Sequence, residues 1–286
     1  MMAAAEHPRV VALVPAWRAA GFIARTLDGL AAQTCPNLEI VISDDASPDE
    51  TAALCERYAA RDPRFHVIRQ PRNLGWTGNV NALLAQARGD YLLFAFHDDV
   101  LAPRYIERCV AALEANPRAV MAFSDLTLED EEGRREERAY RELDGVSERT
   151  ERALLVVRQQ GSWWIPNRGV FRASAAGAIG GLRRHLAGEF SADWPWLLHM
   201  SLLGEFVRVP DNLCTKIYTR QSLSRGWKRG AWPTFAVALS AMREVARARL
   251  SARECLAVES ALARFAGRSL RRAIGRGLRR TQPTRA

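Results

Sequence analysis

No apolar stretch in this chain is long enough to cross a bilayer. The longest runs, such as residues 10–14 and 91–96, are strand-sized, against the ~20 residues a spanning helix needs. Residues 1–7 show no basic segment followed by an apolar one, so no secretion signal is expected. Cysteine is sparse: Cys35, Cys55, Cys109, Cys214 and Cys255 are scattered and form no Cys-x-x-Cys pair. That argues against a disulfide framework or a zinc site and makes a reducing cytosol the expected compartment. The first apolar run is not followed by Gly-x-Gly-x-x-Gly, which argues against a dinucleotide-dependent oxidoreductase. It is not followed by a glycine-rich loop bearing Lys or Arg either, which ranks a nucleotidyltransferase low. Positive charge is concentrated at the C-terminal end. Residues 264–286 hold eight Arg and no Asp or Glu, which leaves +1 of the net +9 for everything before them. The basic character therefore belongs to the C-terminal end rather than to the body.

What is present is an alternation of short apolar runs and amphipathic stretches. Residues 9–15, 38–43, 65–69, 90–96 and 119–124 read as buried strands. Between them, residues 21–33 and 77–88 and the segment opened by Pro103 have apolar residues at helical spacing. Ser47, Pro48 and Glu50 have the spacing of a helix-capping box. Continuous apolar strands alternating with helices predict an α/β fold with a mainly parallel central sheet. Residues 125–152 are highly charged and read as a solvated excursion. Beyond them the pattern predicts a helix over about 193–203, strands near 205–209 and 213–218, and two closing helices. One of these follows Pro233; the other is capped by Ser251 with Glu254 three residues on.

In an open α/β sheet, ligands bind beyond the carboxyl ends of the strands. Two acidic pairs fall at such ends, Asp44-Asp45 and Asp98-Asp99. Adjacent carboxylates repel unless something neutralises them, and a divalent cation with a substrate diphosphate would do so. Turn formation or helix capping by either pair is the competing reading.

The order and spacing of four segments resemble the inverting GT-A transferases of glycosyltransferase family 2. They are VVALVPAW, EIVISDDASPDET, NLGWTGNVNALLAQARGDYLLF and HDDVLAPRYIE. The resemblance is clear over residues 9–124 and fainter to about 225. It implies a GT-A domain over 1–225, with a nucleotide-sugar half (9–124) and an acceptor half (125–225), followed by a basic helical tail (226–286). By the same resemblance, Asp45 would hold the nucleotide base, with Pro15, Ala16 and Trp17 beside it and Asn73, Gly75 and Asn81 near the donor. Asp98 and Asp99 would face ribose and a divalent cation, Mn²⁺ or Mg²⁺, in an order left open. The sequence departs from the family pattern at Phe96, where many members have an acid, and near Thr219, where many have a histidine ligand. His97 is read as a packing or solvated residue.

An inverting transfer needs a carboxylate to take the acceptor's proton. The matching residue is Asp193, with Glu189 in reserve and a plain helix-capping role as the alternative. Trp163 and Trp164 read as core rather than as a sugar platform. The implied activity moves a sugar from a nucleoside-diphosphate donor, UDP-linked by preference, to a hydroxyl acceptor. A bacterial cell-envelope polysaccharide or lipid-linked glycan is the expected acceptor. The other reading is a catalytically silent relative that binds nucleotide sugar or a partner at the membrane. Along the tail, Leu262, Ala266, Leu270, Ile274 and Leu278 recur every four residues opposite the Arg face. Such a stripe fits peripheral contact with the inner face of the cell membrane or packing on the body; no nucleic-acid partner is expected.

Overall fold

The computed structural model describes residues 7–159, 161–218 and 230–280. The apolar runs pair side by side as the alternation predicted. β1 (Val10–Ala16), β2 (Leu38–Asp44), β3 (Phe65–Arg69) and β4 (Tyr91–Phe94) form a parallel set in the order β3-β2-β1-β4. Every residue of β1 is buried, as befits a central strand covered on both faces. The covering helices are α1 (Ile23–Ala31), α2 (Thr51–Ala59), α3 (Gly75–Gln86) and α4 (Tyr105–Ala115). α1 presents Ile23, Leu27 and Leu30 inward, the stripe read from the sequence.

Beyond β4 the sheet changes direction. β8 (Val170–Arg172) lies antiparallel to both β4 and β6 (Ala119–Asp130), and β9 (Glu205–Tyr218) runs parallel to β6. β5 (Asp99–Leu101) closes the far edge antiparallel to β9, pairing Asp99 with Lys216. The two strands expected near 205–209 and 213–218 are one continuous strand. α5 (Arg149–Arg158), α6 (Ala173–Ile179) and α7 (Asp193–Leu203) complete this half.

Two local expectations fail for long-range reasons. Ser47 and Glu50 form no capping box, because Ser47 Oγ accepts instead from the Arg18 amide at 3.0 Å. Asp49 accepts from both the amide and the hydroxyl of Thr51, and α2 starts only there. At Ser251 the predicted box forms: its hydroxyl and amide both donate to Glu254, which accepts from Arg149 as well. Residues 125–152 are likewise more than a solvated excursion. β6 continues to Asp130 and turns into β7 (Arg135–Arg138), so charge alone did not predict a hairpin. Tyr140 and Leu143 are buried, and so is Arg152. Its guanidinium donates to the carbonyls of Ser201, Val146 and Ser147 at 2.7–3.2 Å, which ties this segment to α7.

The chain closes with α8 (Ala231–Arg247) and α9 (Ala252–Arg280), packed on each other and on α5 and α7. The first part of the tail's apolar stripe belongs to the body: Leu262 is fully buried, and the Phe265 ring lies 4.9 Å from Trp194. Leu270 is exposed. The side chains of Ile274 and Leu278, and the last Arg-bearing residues 281–286, lie outside the described set. Among the described residues no helix is long and apolar enough to cross a membrane.

Arg152→Ala would leave three carbonyls without their donor in a buried setting, so a loss of about 3 kcal/mol is expected. Arg138→Ala, on the exposed hairpin, should stay within about 0.5 kcal/mol. Urea denaturation of the two variants measures the difference.

Candidate active site

The carboxyl ends of β1, β2 and β4 meet along one rim, and β1 is the link. The amide of Asp45 donates to Ala16 O at 2.9 Å, and a ring nitrogen of His97 lies 3.0 Å from Pro15 O. The two acidic pairs therefore flank a single strand end. Turns around this rim hold non-glycine residues in the left-handed region, Arg18 and Ala46, and Ser191 does the same just ahead of α7. Such costly conformations tend to collect at functional sites.

On the β2 side, Asp45 is buried and its Oδ1 accepts from the amide of Leu74 at 2.6 Å. Burial pushes its carboxyl up, the amides of Leu74 and Gly75 oppose this, and the Asp44 charge adds to the rise. Asn73 donates to Asp45 O and accepts from Gly75 N. Gly75 has φ +76°, and a Cβ there would stand 2.4 Å from the Arg184 guanidinium. The loop 73–75 is thus built onto Asp45, as the sequence grouping implied. Trp17 is partly exposed beneath the Arg18 guanidinium. The amide group of Asn81 exchanges two hydrogen bonds with the backbone of Leu182; like Ala16, Trp17, Asp45, Asn73 and Gly75, it is not on the wall of the adjoining cavity, to which Pro15 and Asp98 belong. Glu189 accepts from the amides of Trp76 and Thr77, the start of α3, so the reserve base serves as that helix's cap.

A cavity of about 920 Å³ opens beside this rim, with Asp98, Asp193, Asn167, Arg168 and Lys216 on its wall. Asp193 is the first residue of α7. It accepts from the Asn167 side chain at 2.6 Å. Burial pushes its carboxyl up, against the opposing pull of its own amide and of Arg168. Trp163 and Trp164, read as core, are only half-buried and line the cavity. One packs edge-on against Trp194, the other lies under Arg168.

The second acidic pair was expected to face ribose and a divalent cation, and its two carboxylates have different surroundings. Asp98 lies in the turn closed by Asp99 N donating to Phe96 O, and Asp99, the first residue of β5, is turned inward, 3% exposed. There Arg168 Nε lies 2.7 Å from its Oδ2, an ion contact without hydrogen-bond alignment. Burial would lower the Arg168 guanidinium, but the surrounding groups, Asp99 first and then Cys214, Asp98 and Asp193, together outweigh it and hold the group above its usual value. Asp98 faces the cavity and meets Lys216 Nζ at 2.9 Å. Burial would raise its carboxyl, yet Lys216, His97 and Arg168 hold it below the usual range. His97 packs on Phe22, 5.2 Å between rings, as a packing residue should.

These residues do not make a cage for a divalent cation. Asp99 is committed to Arg168, Asp98 to Lys216, and His97 to Pro15 O. Among the described residues no three His, Cys, Asp or Glu side chains converge. Thr219, noted for its missing histidine, lies outside the described residues. Asn167, Arg168 and Lys216 were not singled out in the sequence. Lys216 stands three residues before Thr219, and only the pairing of β5 with β9 brings it to the acidic pair.

The overall arrangement has close counterparts among solved structures. S. aureus TarS 1–349, in complex with UDP-GlcNAc, superposes with a TM-score of 0.69 over 92% of this chain and 71% of its own, at 16% identity. A mannosyltransferase from Pyrobaculum calidifontis, in complex with GDP-Man and Mn²⁺, gives 0.57 over 95% and 76%, at 18% identity. At such identities the likeness is one of fold, the GT-A fold. In sequence, the chain is 34% identical over 109 residues to the uncharacterized glycosyltransferase EpsJ of Bacillus subtilis, covering 38% of this chain and 31% of that protein. It is 37% identical over 103 residues to the putative glycosyltransferase EpsH of the same organism, covering 36% and 30%. The chain thus spans about a third of the length of these relatives. The family model for glycosyl transferase family 2 matches residues 11–172, more than half of the chain, and with the GT-A sheet and its rim of carboxylates in view, the protein belongs to that family.

Proposed function

We propose that this protein is an inverting transferase that moves a sugar from a nucleoside-diphosphate donor, UDP-linked by preference, to a hydroxyl acceptor. The observation that carries the reading is Asp193, a carboxylate on the cavity wall that is oriented by Asn167 and raised by burial. A base with a raised pKa accepts a proton more readily near neutral pH. The acceptor oxygen attacks the anomeric carbon from the face opposite the diphosphate, and its proton passes to Asp193. The anomeric carbon–oxygen bond breaks with its electron pair leaving on the diphosphate. Asp45, with the loop 73–75 attached to it, receives the nucleotide base beside Pro15, Ala16 and Trp17; Asp98 takes the ribose side. Support for a UDP-sugar comes from the complexes of TarS with UDP-GlcNAc and with UDP. A glycan of the bacterial envelope or a lipid-linked glycan suits the acceptor side. The exposed part of the tail, with its Arg residues, would give peripheral contact at an anionic membrane.

Asp193→Asn removes the base and keeps the shape, so kcat should fall by about 10²–10⁴-fold while the donor KM stays within about threefold. Steady-state kinetics with UDP- and GDP-sugars measure both. Because the base must be ionised, wild-type activity should be lost as pH falls through the raised pKa of Asp193, above the ordinary ~3.9 of an aspartate. Asn167→Leu removes a donor that favours the charged carboxylate, and the acid limb of its pH–rate profile should move to higher pH. Nucleotide binding with no turnover, the same in wild type and Asp193→Asn, would instead establish the silent relative.

A further inference from the structure

We propose that Lys216 supplies the positive charge that meets the donor's diphosphate, in the role the acidic motif had assigned to a divalent cation. The proposal rests on the reading of this cavity as the donor site. Lys216 is on the cavity wall together with Asp98 and Asp193. Its Nζ stands 2.9 Å from Asp98 Oδ2 and 3.6 Å from Asp99 Oδ1, between the two carboxylates that a cation was expected to bridge. The position is held by the sheet: Asp99 and Lys216 are register partners of β5 and β9, and Ile217 N donates to Asp98 O at 3.0 Å. Backbone pairing therefore fixes where the lysine leaves the sheet, and the two carboxylates hold its ammonium group.

Charge and ligand count agree. Asp98 and Asp99 are already faced by two cations, Lys216 and Arg168, so a doubly charged ion would compete with countercharges already in place. The acidic motif itself offers it few oxygen donors. Asp99 is turned to Arg168, and at Phe96, where an acid was expected, an aromatic ring sits 5.4 Å under the same guanidinium. The sequence of residues 219–229, which follows Lys216 closely, contains no Asp, Glu, His or Cys that could add a ligand. An ammonium group has three N–H donors. One directed at Asp98 leaves others for phosphate oxygens, a common use of lysine. As the anomeric bond breaks, the electron pair goes to a phosphate oxygen, and the fixed ammonium stabilises that growing charge without giving up its proton.

Calorimetric titration of UDP, GDP and UMP into wild type, Lys216→Met and Lys216→Arg, in excess EDTA and again in Mn²⁺, tests this. Wild type should bind a nucleoside diphosphate in EDTA, with Mn²⁺ improving affinity by less than about threefold. Lys216→Met should lose about tenfold or more for the diphosphate and far less for UMP, and Lys216→Arg should recover most of the loss. The diphosphate-to-monophosphate ratio is internal to each variant, so a general loss of stability does not imitate it. Diphosphate binding that appears only with Mn²⁺ overturns the lysine's role and leaves the donor site standing, as does an equal loss for UDP and UMP in Lys216→Met. Failure of all three nucleotides under both conditions removes the donor site itself, and this inference with it.

Discussion

Four buried or half-buried charges sit at the junction of the sheet's two halves: Asp98 and Asp99 against Lys216 and Arg168. They come from three different stretches of chain. The aspartates leave β4 and open β5, the lysine is near the end of β9, and the arginine lies on the turn before β8. An isolated charge at such depth would be strongly disfavoured, so the rim can close only when all three segments arrive together. This mutual requirement aligns the parallel half of the sheet with the mixed half beside Asp193. Removing one member would leave a buried partner uncompensated, which costs more than the pair contributes when whole.

Around that cluster the packing is aromatic. Phe94 at the end of β4 contacts both Phe171 on β8 and Trp196 on α7, with ring centroids 5.1 and 5.3 Å apart. Trp194 on α7 meets Trp163 on one side and Phe265 of α9 on the other. The helix that begins with Asp193 is thus clamped at its first turn by the central sheet and the C-terminal helix. The proposed proton acceptor is thereby held in a fixed position. Asn167, from the same turn as Arg168, completes the link: one short turn orients the Asp193 carboxylate with one residue and neutralises the buried Asp99 with the next.

The tail shows how one sequence pattern can serve two ends. Its four-residue apolar stripe fits a membrane surface and a protein surface equally well, because both present an apolar face to a helix. Leu262 and Phe265 lie against the body, whereas Leu270 is exposed. The point where the stripe leaves the protein depends on where α5 and α7 end, and nothing within the tail encodes that.

The sequence by itself determined the parallel strands, the faces of α1 and α4, the Ser251–Glu254 cap and the acidic rim. Each of these follows from residues within about one element of one another, where periodicity and capping act directly. Family likeness added Asp193 and the loop 73–75. Only the tertiary structure decided what the acidic pairs face. Asp98 and Asp99 are neighbours in the chain, yet the turn that leads into β5 leaves one on the cavity wall and buries the other against Arg168, and their countercharges come from residues 168 and 216. The same holds for Ser47, diverted from its cap by Arg18, and for Arg152, buried inside a stretch whose composition looked solvent-exposed. A charged side chain's partner is set by which distant segment reaches it first, and that is information the local sequence does not contain.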